Sequence, residues 1–206
     1  MAFYAVIVCW WLFALTFWLK KRPPQVREAK RDWTSLLGLL VQATAYFFVW
    51  FDPLQRKAFW PADFGSKSGS GFGSKFGWES GSQPVEWALA VLAVAIAAGS
   101  VWLVHSAARH LGKQWALAAR LVEGHELIQD GPYRLVRNPI YTGMFGMLLA
   151  TGLVVGRWIP LAIAIVVFLA GTYIRIQSEE RLLRQAFGPE FEAYARNVPA
   201  LIPGIY

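Results

Sequence analysis

Two stretches of this sequence carry residues whose types and spacing could do chemistry. The first, G-P-Y-R-L-V-R-N-P-I-Y-T-G (131–143), sets arginines and tyrosines at the entrance of an apolar run. Pro139 turns Asn138 away from helical backbone and is itself suited to the first helical position. Asn138 is thereby expected as the N-cap. The N–H groups of Ile140, Tyr141 and Thr142 then lack helical partners and favour an anion, while Tyr133 and Tyr141 add flat surfaces and hydroxyls. An ordinary helix start, with Arg134 and Arg137 at a lipid interface, uses the same residues equally well.

The second stretch is R-I-Q-S-E-E (175–180). Arg175 and Glu179 stand four apart, as do Glu180 and Arg184, which suits ion pairs on a helix surface. Such pairs contribute only about 0.3–0.5 kcal/mol each, so they do not explain adjacent acids at the edge of an apolar run. Carboxylates there could hold ribose hydroxyls or an ammonium group. Of His105, His110 and His125, no pair has the four-residue helical spacing with a glutamate that a zinc site would use, so no metal is expected. Cys9, the one cysteine, is expected as a small buried hydrophobe.

These stretches must be positioned by apolar elements. The chain has 206 residues, 56% hydrophobic and only 16% charged, against about a quarter charged in soluble domains. Met1–Leu19, Ser35–Phe51, Val85–Val104, Ile140–Gly156 and Ile159–Ile174 are almost free of charge. A span needs roughly 17–25 such residues. The last two are separated only by Arg157-Trp158 and read as a tight hairpin (139–175) whose second helix continues past Ile174. Tryptophans near segment ends fit an aromatic belt. The expected fold is an all-α integral membrane protein of about five transmembrane helices. A cytoplasmic cofactor-binding cap is expected from the loop 105–138 and the C-terminal tail, a helical stretch broken at Gly188-Pro189. Residues 1–104 would form three N-terminal helices and 105–206 the core that carries the chemistry.

The net charge of +7 bears on orientation. Five spans put the first loop, the third loop and the tail on one side with fifteen basic residues, against five on the other. The positive-inside rule places the N-terminus outside and the tail in the cytoplasm, and the expected compartment is a bacterial inner membrane. Basic residues divided among three loops do not make a nucleic-acid stripe, so no nucleic-acid partner is expected. The Gly/Ser-rich stretch 64–82 contains G-S-G-F-G, but neither strand nor helix flanks it as a phosphate loop would require. A flexible outer linker is expected.

With both stretches in view, the sequence resembles the isoprenylcysteine carboxyl methyltransferase family, related to the membrane phospholipid methyltransferases. The resemblance runs from about Arg109 to Pro203. It is carried by H-E-L-I-Q-D-G-P-Y-R-L-V-R-N-P-I-Y-T-G and, a hairpin later, by S-E-E-R-L-L-R-Q-A-F-G-P-E-F-E-A-Y-A-R-N-V-P-A-L-I-P. It implies S-adenosylmethionine as cofactor and S-adenosylhomocysteine as product. The implied cofactor-binding residues are His125, Leu127, Gly131, Tyr133, Arg137, Asn138, Pro139, Tyr141, Gly143 and Glu180, with Arg175 and Glu179 catalytic. Where the family commonly has Arg-His-Pro, this chain has Arg137-Asn138-Pro139, and asparagine caps but does not titrate near neutral pH.

A carboxylate acceptor is ionised at pH 7 and needs no base, so a carboxylate on a prenylated or lipid-like acceptor, entering from the bilayer, is the expected substrate. Methylation of a small thiol or a phospholipid amine is the alternative within the class. Membrane sterol reductases, which use NADPH, share an ending like V-P-A-L-I-P-G-I-Y. Their Pro-Asn-Tyr-x-Gly-Glu motif is absent here, where Met144 follows Gly143. A scaffold without catalysis would have no need of the intact Glu179-Glu180 pair.

Overall fold

The computed structural model describes residues 1–18, 28–52, 57–58, 83–114, 120–122, 124, 126–155 and 158–204. The Gly/Ser-rich stretch 64–82 and His125 fall outside them. Each apolar segment forms one helix: α1 (Ala2–Trp18), α2 (Thr34–Trp50), α3 (Gln83–Leu111), α4 (Pro139–Val155) and α5 (Trp158–Phe187). A short α6 (Pro189–Asn197) follows.

Three of the five stop where their apolar runs stop. The other two overrun them, and the reason is the absence of a breaker. Helix α3 continues through His105 to Leu111, so the first seven residues of the expected loop 105–138 are helical. It ends where Gly112 takes φ +52°. Helix α5 runs 30 residues, past Arg175 and both glutamates, until Gly188 turns at φ +49° and Pro189 starts α6.

Helix α2 lies along α5, α3 along α4, and α1 against α3 and α4. Small residues let the backbones approach. A Cβ on Gly143 would stand 3.0 Å from the Ser100 carbonyl, and one on Gly171 would stand 2.8 Å from the Gly38 carbonyl. One polar bond joins each of three helix pairs: Trp10 Nε1 to Thr151 Oγ1 (3.0 Å), Tyr46 Oη to the Met144 carbonyl (2.8 Å) and Gln42 Nε2 to Thr172 Oγ1 (2.7 Å). Glycine contacts and isolated interhelical hydrogen bonds are how helices associate where lipid competes for apolar surface.

The outer face shows that setting. On α2 the buried stripe is Ser35, Gly38, Gln42, Ala45 and Val49, whereas Leu37, Leu40 and Phe47 point outward. On α5, Ile159 and Val166 are exposed while Thr172 and Arg175 are buried. This pattern is inverted relative to a soluble helix. Two helices, over Trp87–Leu111 and Trp158–Phe187, are long and apolar enough to cross a membrane. Helices α1, α2 and α4 are apolar but have 17 residues each, about 25 Å at 1.5 Å per residue. The helical bundle with its outward apolar faces is consistent with a membrane protein.

Two small antiparallel pairings accompany the bundle, neither of which the all-α expectation contained. Strand β1 (Glu28–Arg31) pairs with β4 (Arg120–Val122), and β2 (Phe51–Asp52) with β3 (Lys57–Ala58). The first brings the connection after α1 beside the one after α3, close to α5. These two basic connections therefore share one end of the bundle.

Candidate functional site

At that end the chain enters α4 through a 3₁₀ turn, Gly131–Arg134, in which Pro132 and Tyr133 are buried. Gly131 turns at φ +58°, and any Cβ there would overlap the His110 ring, whose Nδ1 lies 2.8 Å from the Ser106 carbonyl. His110, His105, Ser106, Arg109 and Trp102 line an open groove of about 360 Å³ on the outer side of α3.

Arg137 is the hub that joins three elements. Its Nε and Nη2 donate to Glu180 Oε1 (3.0 and 2.9 Å), and Nη1 donates to the Ala195 carbonyl (2.8 Å) and the Val198 carbonyl. The other carboxylate oxygen of Glu180 accepts from Arg184 Nη2 at 2.9 Å, and Arg184 Nε reaches Glu192 Oε1 at 2.8 Å. The Glu180 side chain is 6% exposed, with both oxygens engaged by arginines. It binds α4, α5 and the tail to one another.

The tail returns the contact through its main chain. The Arg137 amide donates to the Pro199 carbonyl at 2.8 Å, and the Asn138 amide and Nδ2 donate to the Ala200 carbonyl at 3.1 and 2.9 Å. Thr142 Oγ1 donates to the Leu201 carbonyl at 2.6 Å. Asn138 thus occupies the cap position, but its side-chain bond goes to the tail and not back to its own helix. The Thr142 amide bonds the Asn138 carbonyl at 3.1 Å, so the anticipated trio of free amides reduces to Ile140 and Tyr141. Replacing Asn138 by alanine should cost about 1 kcal/mol. Aspartate should cost more, because it would set a carboxylate against the Ala200 carbonyl. Thermal melting and proteolysis of the tail measure both, and an aspartate variant as stable as the native protein would contradict the geometry.

A second group lies deeper along α5. Arg175 Nε donates to the Tyr141 hydroxyl at 2.8 Å, and its guanidinium stands over the Tyr141 ring, 5.0 Å from the centroid. The Tyr141 hydroxyl in turn donates to Glu179 Oε1, which lies 3.9 Å from Arg175 Nη2. Arg175 is 5% exposed at its side chain and Glu179 30%. Of the two neighbouring acids, Glu180 has both oxygens engaged by arginines and Glu179 keeps a part-exposed side chain.

The other expected residues divide in the same way. Tyr133 is buried, and its carbonyl accepts from the Tyr194 hydroxyl at 2.7 Å. Burial pushes both phenols well above the ordinary tyrosine value, so they remain hydroxyls. Pro139 is buried at the start of α4 and Leu127 is half-buried in the stretch before the 3₁₀ turn. Gly143 faces α3, where a Cβ would meet Val104, so its missing side chain serves helix packing. Sequence reasoning passed over Asp32. Its Oδ1 accepts from the Thr34 amide (2.9 Å) and hydroxyl (2.7 Å), with Arg181 3.7 Å from Oδ2, and the Thr34 hydroxyl leads in holding its carboxyl below the usual range. The Asp32-Trp33-Thr34 spacing before an apolar run was the available signal. Glu192 and Tyr194 had none, because only the folded tail brings them here.

Fold and site together give an apolar helical bundle, of the kind a membrane protein has, with a polar centre where two helices and the C-terminal tail meet. Residues 88–190, half the chain, match the family described as phospholipid methyltransferase, and the chain belongs to that family. It is similar to the protein-S-isoprenylcysteine O-methyltransferase of Schizosaccharomyces pombe (strain 972), 33% identical over 87 residues covering 42% of this chain and 37% of that one. Protein-S-isoprenylcysteine O-methyltransferase B of Arabidopsis thaliana is 36% identical over 87 residues, covering 41% and 43%. The nickel-cobalt-cadmium resistance protein NccN of Alcaligenes xylosoxydans xylosoxydans is 34% identical over 94 residues, covering 45% and 44%. The chain spans about two fifths of the length of the curated relatives it matches. These matches bear out the family resemblance read from the sequence.

Proposed function

We propose that this chain is an integral-membrane S-adenosylmethionine-dependent methyltransferase that methylates a carboxylate on a prenylated or lipid-like acceptor. Family membership and the names of the relatives support the reaction class. The observation that carries the site is Glu179, a part-exposed carboxylate held from behind by the buried Tyr141–Arg175 pair.

The residues suit the cofactor. Its ammonium and ribose hydroxyls call for an anionic acceptor, which Glu179 offers, and its carboxylate calls for N–H donors, which the start of α4 offers at Ile140 and Tyr141. Leu127, Gly131, Tyr133, Pro139 and Tyr141 would line the remainder, with His125 from the adjoining stretch. Arg137, Asn138 and Glu180 would shape the pocket by holding the tail against α4, and Gly143 by seating α4 on α3. When bound, the cofactor supplies an electrophilic methyl group on a sulfonium for in-line displacement.

The protein's own contribution is alignment. An acceptor carboxylate is already ionised, so no proton need be removed. Arg175, the cation nearest Glu179, is the group to hold it. The polar centre adjoins the apolar part of α5, so a lipophilic acceptor can arrive through the bilayer. All five apolar helices then span, with the polar end and tail cytoplasmic and the N-terminus outside, in a bacterial inner membrane. The β1–β4 pairing supports this by gathering the basic connections at one end.

Calorimetry on detergent-purified protein tests the reading. S-adenosylhomocysteine should bind, and Tyr141→Ala should weaken it at least tenfold. Binding of NADPH without binding of S-adenosylhomocysteine would replace this reading with a reductase. Turnover with prenyl-cysteine analogues, phospholipid amines and small thiols identifies the acceptor.

A further inference from the structure

Glycine inside a helix costs about 0.5–1 kcal/mol relative to alanine, so Gly38, on the buried face of α2 one turn in from its start, calls for a packing reason. It has two. A Cβ there would stand 2.7 Å from the Gly171 carbonyl, which is a helix–helix contact, and 2.5 Å from Arg175 Cγ, which is not. The stem of Arg175 crosses α2 in the space that a side chain at position 38 would fill. From that crossing its Nε reaches the Tyr141 hydroxyl and its guanidinium covers the Tyr141 ring. The stem has little room to move elsewhere, because Arg175 is only 4% exposed.

Gly171 provides the comparison. A Cβ there would stand 2.8 Å from both the Gln42 amide nitrogen and the Gly38 carbonyl, with no Arg175 atom among its three nearest neighbours. Alanine at either glycine therefore forces α2 and α5 apart. Only alanine at Gly38 also displaces the arginine.

We infer that Gly38 is a positioning residue for the reaction: by lacking a side chain it seats the Arg175 stem, and so fixes the guanidinium that orients Tyr141 and faces the acceptor. Helix α2 thereby becomes part of the working centre, although it lies outside the family-matched residues 88–190. The inference rests on the proposed role of Arg175, and its test is arranged to separate the two.

Gly38→Ala and Gly171→Ala are made in the full chain in detergent. Three readouts are taken: single-turnover methyl transfer from S-adenosylmethionine to N-acetyl-S-farnesyl-cysteine, affinity for S-adenosylhomocysteine, and the Cζ resonance of Tyr141 in protein carrying ¹³C-tyrosine. That resonance is the signal missing from Tyr141→Phe. Gly38→Ala should slow transfer about 100-fold, as a misplacement near 1 Å does, with affinity within threefold and the Tyr141 resonance moved. Gly171→Ala should lower the melting temperature comparably and leave rate and resonance near native. Equal behaviour of the two variants, or an unmoved resonance in Gly38→Ala, overturns the inference. A native protein without transferase activity in which Gly38→Ala alone moves the resonance overturns the functional reading and keeps the placement. Should Gly38→Ala not accumulate, Gly38→Ala/Arg175→Ala decides. Recovery to the level of Gly171→Ala identifies the stem as the obstruction beyond the backbone clash, and no gain over Gly38→Ala refutes it.

Discussion

Glu180→Ala is expected to weaken S-adenosylhomocysteine binding more than 100-fold and to expose the tail to protease, while far-ultraviolet circular dichroism stays helical. The carboxylate holds Arg137 through two bonds to one oxygen, and Arg137 holds the Ala195 and Val198 carbonyls. Removing one partner of a buried pair leaves the other charge unmatched, at a cost of about 3–5 kcal/mol. The Arg184 arm adds little to this, because its side chain is 41% exposed and water already screens it. Glu180→Gln keeps the shape and one set of hydrogen bonds, and should fall between the two. Native melting and native binding in Glu180→Ala would show that the network does not hold the site.

The second large effect is expected at the neighbouring acid and should look different. Glu179→Gln preserves an oxygen for the Tyr141 hydroxyl but removes the charge. The side chain is part-exposed, so stability should change by less than about 1 kcal/mol. Turnover should fall by about 100- to 1000-fold, the usual range when one preorganised electrostatic contact is lost. Adjacent residues would then separate, Glu180 governing the fold and Glu179 the ligand contact and the rate. Single-turnover kinetics beside thermal melting make the comparison, and turnover within threefold of native would remove Glu179 from the catalytic group.

That division of labour was not legible in two consecutive glutamates. Both lie one turn from an arginine, and local spacing treats them alike. What distinguishes them is Arg137, 43 residues upstream, which only the packing of α4 on α5 brings to Glu180. Asn138 teaches the same lesson from the other side. Its cap position followed from Pro139, but its side chain serves a carbonyl 62 residues away. Properties that depend on local apolar content and local breakers were legible, including the five helices, the turn at Gly188 and the burial of Cys9. The overrun of α3 was legible in principle, since nothing before Gly112 stops a helix. Strand pairs of two to four residues are too short to show alternation, and their partners lie in distant connections.

The tail's place in the site has a consequence for how the protein is made. The tail carbonyls that meet Arg137, Asn138 and Thr142 belong to residues 195–201, which leave the ribosome after all five apolar helices. The helices can therefore pack against one another before the centre exists. A chain halted after α5 would keep the helices but leave the α4 entrance open, and residues 195–201 are what close it.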